Sequence, residues 1–179
     1  SKERSLVEYQ TLVIQMSKYK YENADLNLKF SEMGASDIAF VSDIERRNYK
    51  YPWTRTIFSD CLSSGYLCTV ANFNDKIIGY SIVSISKYDA QILNLCVDKD
   101  SRRLGFGEKI MDLLIEDIKS RGLNEIYLEV RSSNKKAISL YEKKGFESIG
   151  VRNNYYRDPN GREDAKVFFL NTKKIGYKQ

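Results

Sequence analysis

Val97-Asp98-Lys99-Asp100-Ser101-Arg102-Arg103-Leu104-Gly105-Phe106-Gly107 is the stretch that decides the fold. Two glycines one residue apart let the backbone turn tightly and aim several N–H groups at one point. Before the turn, residues 91–97 alternate as a strand; after it, about 107–121 read as a helix. Ile110, Leu113, Leu114 and Ile118 are expected to face inward there, with Gly122 closing the helix. A strand, a glycine turn and a helix N-terminus together suit an anion, and Arg102 and Arg103 add mobile cationic donors. The loop is not a P-loop, because Gly-Lys-Ser/Thr is missing. Nor does a further glycine follow three residues on, as a dinucleotide fingerprint requires. Taken alone, the loop is either a phosphate cradle or an ordinary glycine turn.

Upstream of it, runs at 66–73, 76–86 and 91–97 are separated by Asn74-Asp75 and by residues 87–89, which predicts an antiparallel meander. Still earlier come helices over about 36–49 and 54–63, divided at Pro52, and a strand carrying Leu26, Leu28 and Phe30. Downstream lie a strand at 125–131, a helix at 134–144 closed by Gly145, and two strands near 146–153 and 164–171. This order gives a mixed α/β (α+β) fold: a central sheet of about seven strands with helices on both faces. One domain is expected over residues 25–172. A helical extension at 1–24, with its helix over 3–23, precedes it, and a tail at 173–179 follows.

Composition narrows the chemistry. The chain has 179 residues, 42% hydrophobic and 30% charged, with no apolar run near the ~20 residues of a membrane helix. Ser1–Gln10 is polar and charged, without the apolar core of a signal peptide. Cys61, Cys68 and Cys96 form no C-x-x-C pair, which points to a reducing cytoplasm. With no histidine at all, the common zinc patterns and every Ser-His or Cys-His device are excluded, and no metal is expected. The net charge of +5 comes from scattered Lys and Arg, so neither a nucleic acid nor a membrane is required as a partner.

Acid–base work must then fall to carboxylates, tyrosines or lysines. In Ile126-Tyr127-Leu128-Glu129-Val130-Arg131 the apolar residues alternate with Tyr127, Glu129 and Arg131. A carboxylate in mid-strand is costly unless it is paired or faces a cleft. Glu129 is therefore either salt-bridged to Arg131 or another cation, or a general base lining a slot. Tyr141 lies two helical turns from Asn134, on the same face. An unplaced helical tyrosine is by default a packing residue.

Two motifs carry a family resemblance. Arg102-Arg103-Leu104-Gly105-Phe106-Gly107 matches the signature Q/R-x-x-G-x-G/A of the GNAT acetyltransferases, and residues 128–146 match L-E-V-R-x-S-N-x-x-A-I-x-L-Y-x-x-x-G-F of the RimI group within them. The likeness spans about residues 26–170. It implies a GNAT fold, acetyl-CoA as co-substrate, and a strand that parts from its neighbour to admit it. The backbone around Arg102, Arg103, Leu104, Gly105, Phe106, Gly107 and Glu108 would bind the pyrophosphate. Leu95, Cys96 and Val97 would pair with the pantetheine arm, and Asn134 would touch the cofactor. Glu129 would accept a proton and Tyr141 donate one. Pro52-Trp53 and Tyr155-Tyr156 resemble the two loops that flank the acceptor peptide. RimI proteins acetylate the N-terminal alanine of a small-subunit ribosomal protein, so a protein N-terminus is the implied partner. An enzyme acting on lysine side chains or small amines, and a non-catalytic acetyl-CoA-binding module, remain alternatives. Cys96, where Ala is usual, and Lys166-Val167-Phe168-Phe169-Leu170 depart from the family pattern.

Overall fold

In the computed structural model, which describes residues 27–174, the alternating runs become strands and the periodic ones helices. The order is β1 (Leu28–Glu32), a 3-10 turn (Ala35–Asp37), α1 (Ile38–Asn48), α2 (Arg55–Ser63), β2 (Leu67–Phe73), β3 (Lys76–Ile85) and β4 (Asp89–Val97). There follow a second 3-10 turn (Lys99–Ser101), α3 (Phe106–Ser120), β5 (Glu125–Arg131), α4 (Lys135–Lys143), β6 (Glu147–Asp158) and β7 (Gly161–Asn171). The helix expected over 3–23 and most of the tail 173–179 lie outside the described residues. No helix among the described residues is long and apolar enough to cross a membrane.

Local chemistry accounts for the joints. Asn74 and Asp75 take positive φ (50° and 60°), the conformation a two-residue hairpin between β2 and β3 needs. The Thr54 side chain accepts from the N–H of Ile57 at 3.3 Å and so starts α2 just after Pro52. In β2, Val70 and Ala71 join different apolar clusters, as strand alternation demands. On one face α1 and α2 bury Val41, Ile44, Phe58 and Cys61 against Tyr80 and Ile82. Elsewhere α3 and α4 bury Met111, Leu114, Ile115 and Ile138 against Ile92, Ile126, Leu128 and Phe168. Each fully buried side chain of this kind contributes roughly 1.5–3 kcal/mol, which fixes the N-terminus of α3.

Two expectations need correction. Leu113 is 40% exposed, while Phe106, Met111 and Ile115 join Ile110, Leu114 and Ile118 on the buried stripe. The i, i+3/i+4 spacing runs through 111 and 115, and Leu113 falls off it. The closing hairpin is also longer than expected: β6 continues through Asn153-Asn154-Tyr155-Tyr156 to Asp158. A register shift between Arg152 and Tyr156, with Asn154 at φ 53°, bends it on the way.

The sheet order is β1-β2-β3-β4-β5-β7-β6, and only β4 and β5 run parallel. Their pairing is short, from Asp89↔Glu125 to Ile92↔Leu128. On the other side of β4, Ile82 pairs with Asn94 and Val83 with Ile92, so Leu93 is an unmatched bulge. Beyond it, Asn94–Val97 stay with β3 while Glu129–Arg131 stay with β7. The two central strands part, and a slot opens in the middle of the sheet.

Candidate active site

At one end of the slot sits the glycine turn. Gly105 has φ 78° and Arg103 φ 67°, both left-handed, so the chain reverses directly into α3. The N–H groups of Phe106, Gly107 and Glu108 open that helix, where no intrahelical acceptor exists for them. The helix dipole adds to their pull on an anion. The Phe106 side chain plugs the core against Phe73, with ring centroids 4.8 Å apart. Leu104 is exposed. Arg102 is engaged rather than mobile: it donates to the Asn48 side-chain oxygen at 2.7 Å and to the Val97 carbonyl at 3.3 Å. Arg47 meets the buried Asp98 carboxylate at 2.6 Å, which ties the loop to α1. Glu108 pairs with Lys143 and Lys144; the Lys143 hydrogen bond holds its carboxyl below the usual range, against the opposing effect of desolvation. A backbone cradle at a helix N-terminus fits the pyrophosphate of coenzyme A. Gly105→Ala is expected to cost roughly 1–2 kcal/mol through the left-handed φ, read as a lower melting temperature, and to weaken coenzyme A binding in calorimetry.

Between the parted strands lies a cleft of about 580 Å³. Leu95, Leu128, Glu129, Asn134 and Tyr141 line it, with Tyr49 and Trp53 on one side and Tyr155 and Tyr156 on another. The Asn134 side chain caps α4, accepting from the N–H of Ala137 at 3.2 Å. Tyr141, two turns on, does two jobs. Its ring packs near Phe146 and Phe168, and it also lines the cleft. Burial, with a smaller contribution from Cys96, pushes its phenol up to about 12. The Tyr49 hydroxyl donates to the Leu95 carbonyl at 3.1 Å on the freed part of β4.

Glu129 alternates along β5 with the buried Ile126, Leu128 and Val130, and its own side chain lines the cleft. Its side chain is only 10% exposed and meets Arg152 at 2.6 Å. The Tyr155 hydroxyl also hydrogen-bonds to it, which raises the Tyr155 pKa. Arg131 is committed elsewhere: to Glu163 at 3.1 Å, to the Arg157 carbonyl at 2.9 Å, and over the Tyr156 ring at 4.5 Å. Arg152 is therefore the cation that sequence reasoning left unnamed. Only the insertion of β7 between β5 and β6 sets Arg131 and Arg152 on either side of Ala165.

Not every expected residue reaches the cleft. Pro52 is exposed and does not line it. The Cys96 side chain is buried with the α1–α2 cluster, and burial first, then Glu45, pushes its thiol up to about 12. Val97 and residues 102–108 belong to the glycine turn, outside the cleft lining. Among the described residues no group of three or more Cys, Asp or Glu could hold a metal ion.

Comparison with known proteins agrees with this fold. The pattern described as the acetyltransferase (GNAT) family matches residues 38–146. The [ribosomal protein bS18]-alanine N-acetyltransferase of Escherichia coli (strain K12) is 34% identical over 140 residues, which is 78% of this chain and 95% of that one. A crystal structure of the ribosomal-protein-S18-alanine N-acetyltransferase from Escherichia coli superposes with a TM-score of 0.78 at 32% identity, covering 85% of this chain and 98% of that one. Ard1 from Thermoplasma volcanium gives 0.73 at 26% identity, covering 81% and 97%. The chain belongs to the GNAT acetyltransferase family, as an N-acetyltransferase that takes its acetyl group from acetyl-CoA.

Proposed function

We propose that the chain acetylates the α-amine of a protein N-terminus, an alanine on a small-subunit ribosomal protein, in the cytoplasm. The observation that carries this is the cleft itself. It places a carboxylate from β5 and a phenol from α4 beside the freed edge of β4, between walls bearing Trp53, Tyr155 and Tyr156. The names of the similar bacterial proteins supply the acceptor. Three free, buried cysteines fit a reducing compartment.

Bound acetyl-CoA supplies the thioester carbonyl and a thiolate leaving group. Backbone N–H groups of β4 past the bulge are positioned to hydrogen-bond along the slot. Glu129 takes up, directly or through water, the proton the amine loses. Tyr141 holds its proton at neutral pH and gives it at Oη to the departing sulfur. Its high pKa is no obstacle. A thiolate expelled away from bulk water is a stronger base than in solution, which narrows the gap to the phenol.

The choice of amine follows from proton affinities. At pH 7 an α-amine of pKa ~8 is neutral about one time in ten, and a lysine of pKa ~10.4 about once in 2,500. A carboxylate base suits the first. The test is a peptide panel varied at its first two residues, with lysine and polyamines as competitors and thiol release as the readout. Alanine-first peptides should exceed lysine side chains roughly 100-fold in kcat/KM. Equal turnover of an Nα-blocked, lysine-bearing peptide would overturn the assignment.

A further inference from the structure

Helix α1 carries a carboxylate among its buried residues, Val41 and Ile44: Glu45 is 2% exposed. Burying such a group is costly unless it is fully hydrogen-bonded. Glu45 accepts from the backbone N–H of Trp53 at 2.9 Å, from the Asn94 side-chain amide at 3.1 Å, and from the Tyr80 hydroxyl. Among the described residues no lysine or arginine pairs with it. These donors belong to three separate elements. Trp53 lies in the segment between α1 and α2, Tyr80 is on β3, and Asn94 is the first residue of β4 past the Leu93 bulge. Glu45 also lines the cleft.

Resting on the acceptor reading above, we infer that Glu45 is the positioning residue that sets the depth of the pocket for the acceptor's first side chain. Pro52 has no N–H, so the first backbone donor after it is that of Trp53, and Glu45 takes it. The Trp53 ring leans on Phe58 at 5.6 Å, and Phe58 meets Tyr80 edge-on at 5.5 Å. That apolar backing can slide; the carboxylate cannot. It fixes the gap between the Trp53 wall and the freed edge of β4, where the amine of a small first residue must sit. Mobility there would let larger first residues enter and hold alanine loosely.

The experiment compares Glu45→Ala and Glu45→Gln on alanine-first and leucine-first peptides. Ala removes all three hydrogen bonds; Gln keeps an oxygen for Trp53 and retains the side chain's shape. Its NH2 donates to the Asn94 oxygen once that amide turns over, so the tie to β4 is kept with its direction reversed. With Glu45→Ala, KM for the alanine peptide should rise about tenfold and the alanine-over-leucine preference shrink by a similar factor. KM for acetyl-CoA should stay within about twofold, because the glycine turn is separate. Glu45→Gln should recover most of both effects. Should Glu45→Ala fail to fold, Asn94→Ala cuts the same tie from the strand side and should narrow the same preference. An unchanged preference in folded Glu45→Ala or Asn94→Ala overturns the inference, as does a fall in kcat alone or a Gln variant no better than Ala. Those results leave N-terminal acetylation standing. A wild-type protein that releases no thiol on any N-terminal peptide removes the acceptor reading, and this inference falls with it.

Discussion

Glu129→Gln is expected to lower turnover of an alanine-first peptide by roughly 10²- to 10³-fold, with acetyl-CoA affinity nearly unchanged. The amide keeps the shape of the carboxylate and one acceptor oxygen but cannot take up the proton the amine must lose. Structural side effects are small. The freed Arg152 is 58% exposed and becomes hydrated, so no cation is left buried without a partner. Steady-state rates, with a melting curve as control, decide the matter. A variant that folds normally and turns over at the wild-type rate removes Glu129 from the chemistry.

Tyr141→Phe is expected to lower turnover by roughly 10²-fold, again without loss of the co-substrate. Phenylalanine preserves the ring packed near Phe146 and Phe168, so the deletion is confined to the hydroxyl. The pH profile adds an independent check. Wild-type kcat/KM should rise with pH as the substrate amine loses its proton at ~8, then stay level. Tyr141 acts as a donor and burial has pushed it up to about 12, so no falling limb belongs near the ordinary tyrosine value of ~10. A descending limb at ~10 in the wild type, lost in Tyr141→Phe, would show a phenol that titrates normally. That would contradict the buried geometry.

Much of this architecture was legible because local rules and global packing agree. Strict alternation from Ile126 to Arg131 gave β5 its bounds and its two faces, and both are as expected. The helices expected over 54–63 and 134–144 are present, each starting one residue later with Thr54 or Asn134 as its cap. What sequence hid was pairing across distance. Arg152 sits 23 positions after Glu129, and nothing in the chain says that β7 comes between their strands. For the same reason Arg131, the cation two residues away, looked the better partner. Glu45 carries no sequence signal of its role, because a glutamate on a helix is ordinarily solvated. Its burial depends on donors from Trp53, Tyr80 and Asn94, which only the folded chain assembles. Arg102 shows the converse: a residue chosen for its charge turned out to brace the loop against Asn48.

The parting of β4 from β5 has a thermal consequence. Only four residue pairs join those strands, and past them peptide groups of both strands face open space where a sheet would pair them. A ligand lying in that gap restores the missing cross-links and binds the native form alone. At a hundredfold excess over its dissociation constant it adds about 2.7 kcal/mol to the free energy of unfolding. The heat tolerance of this enzyme is therefore coupled to the supply of its acetyl donor, and a starved molecule melts sooner than a supplied one.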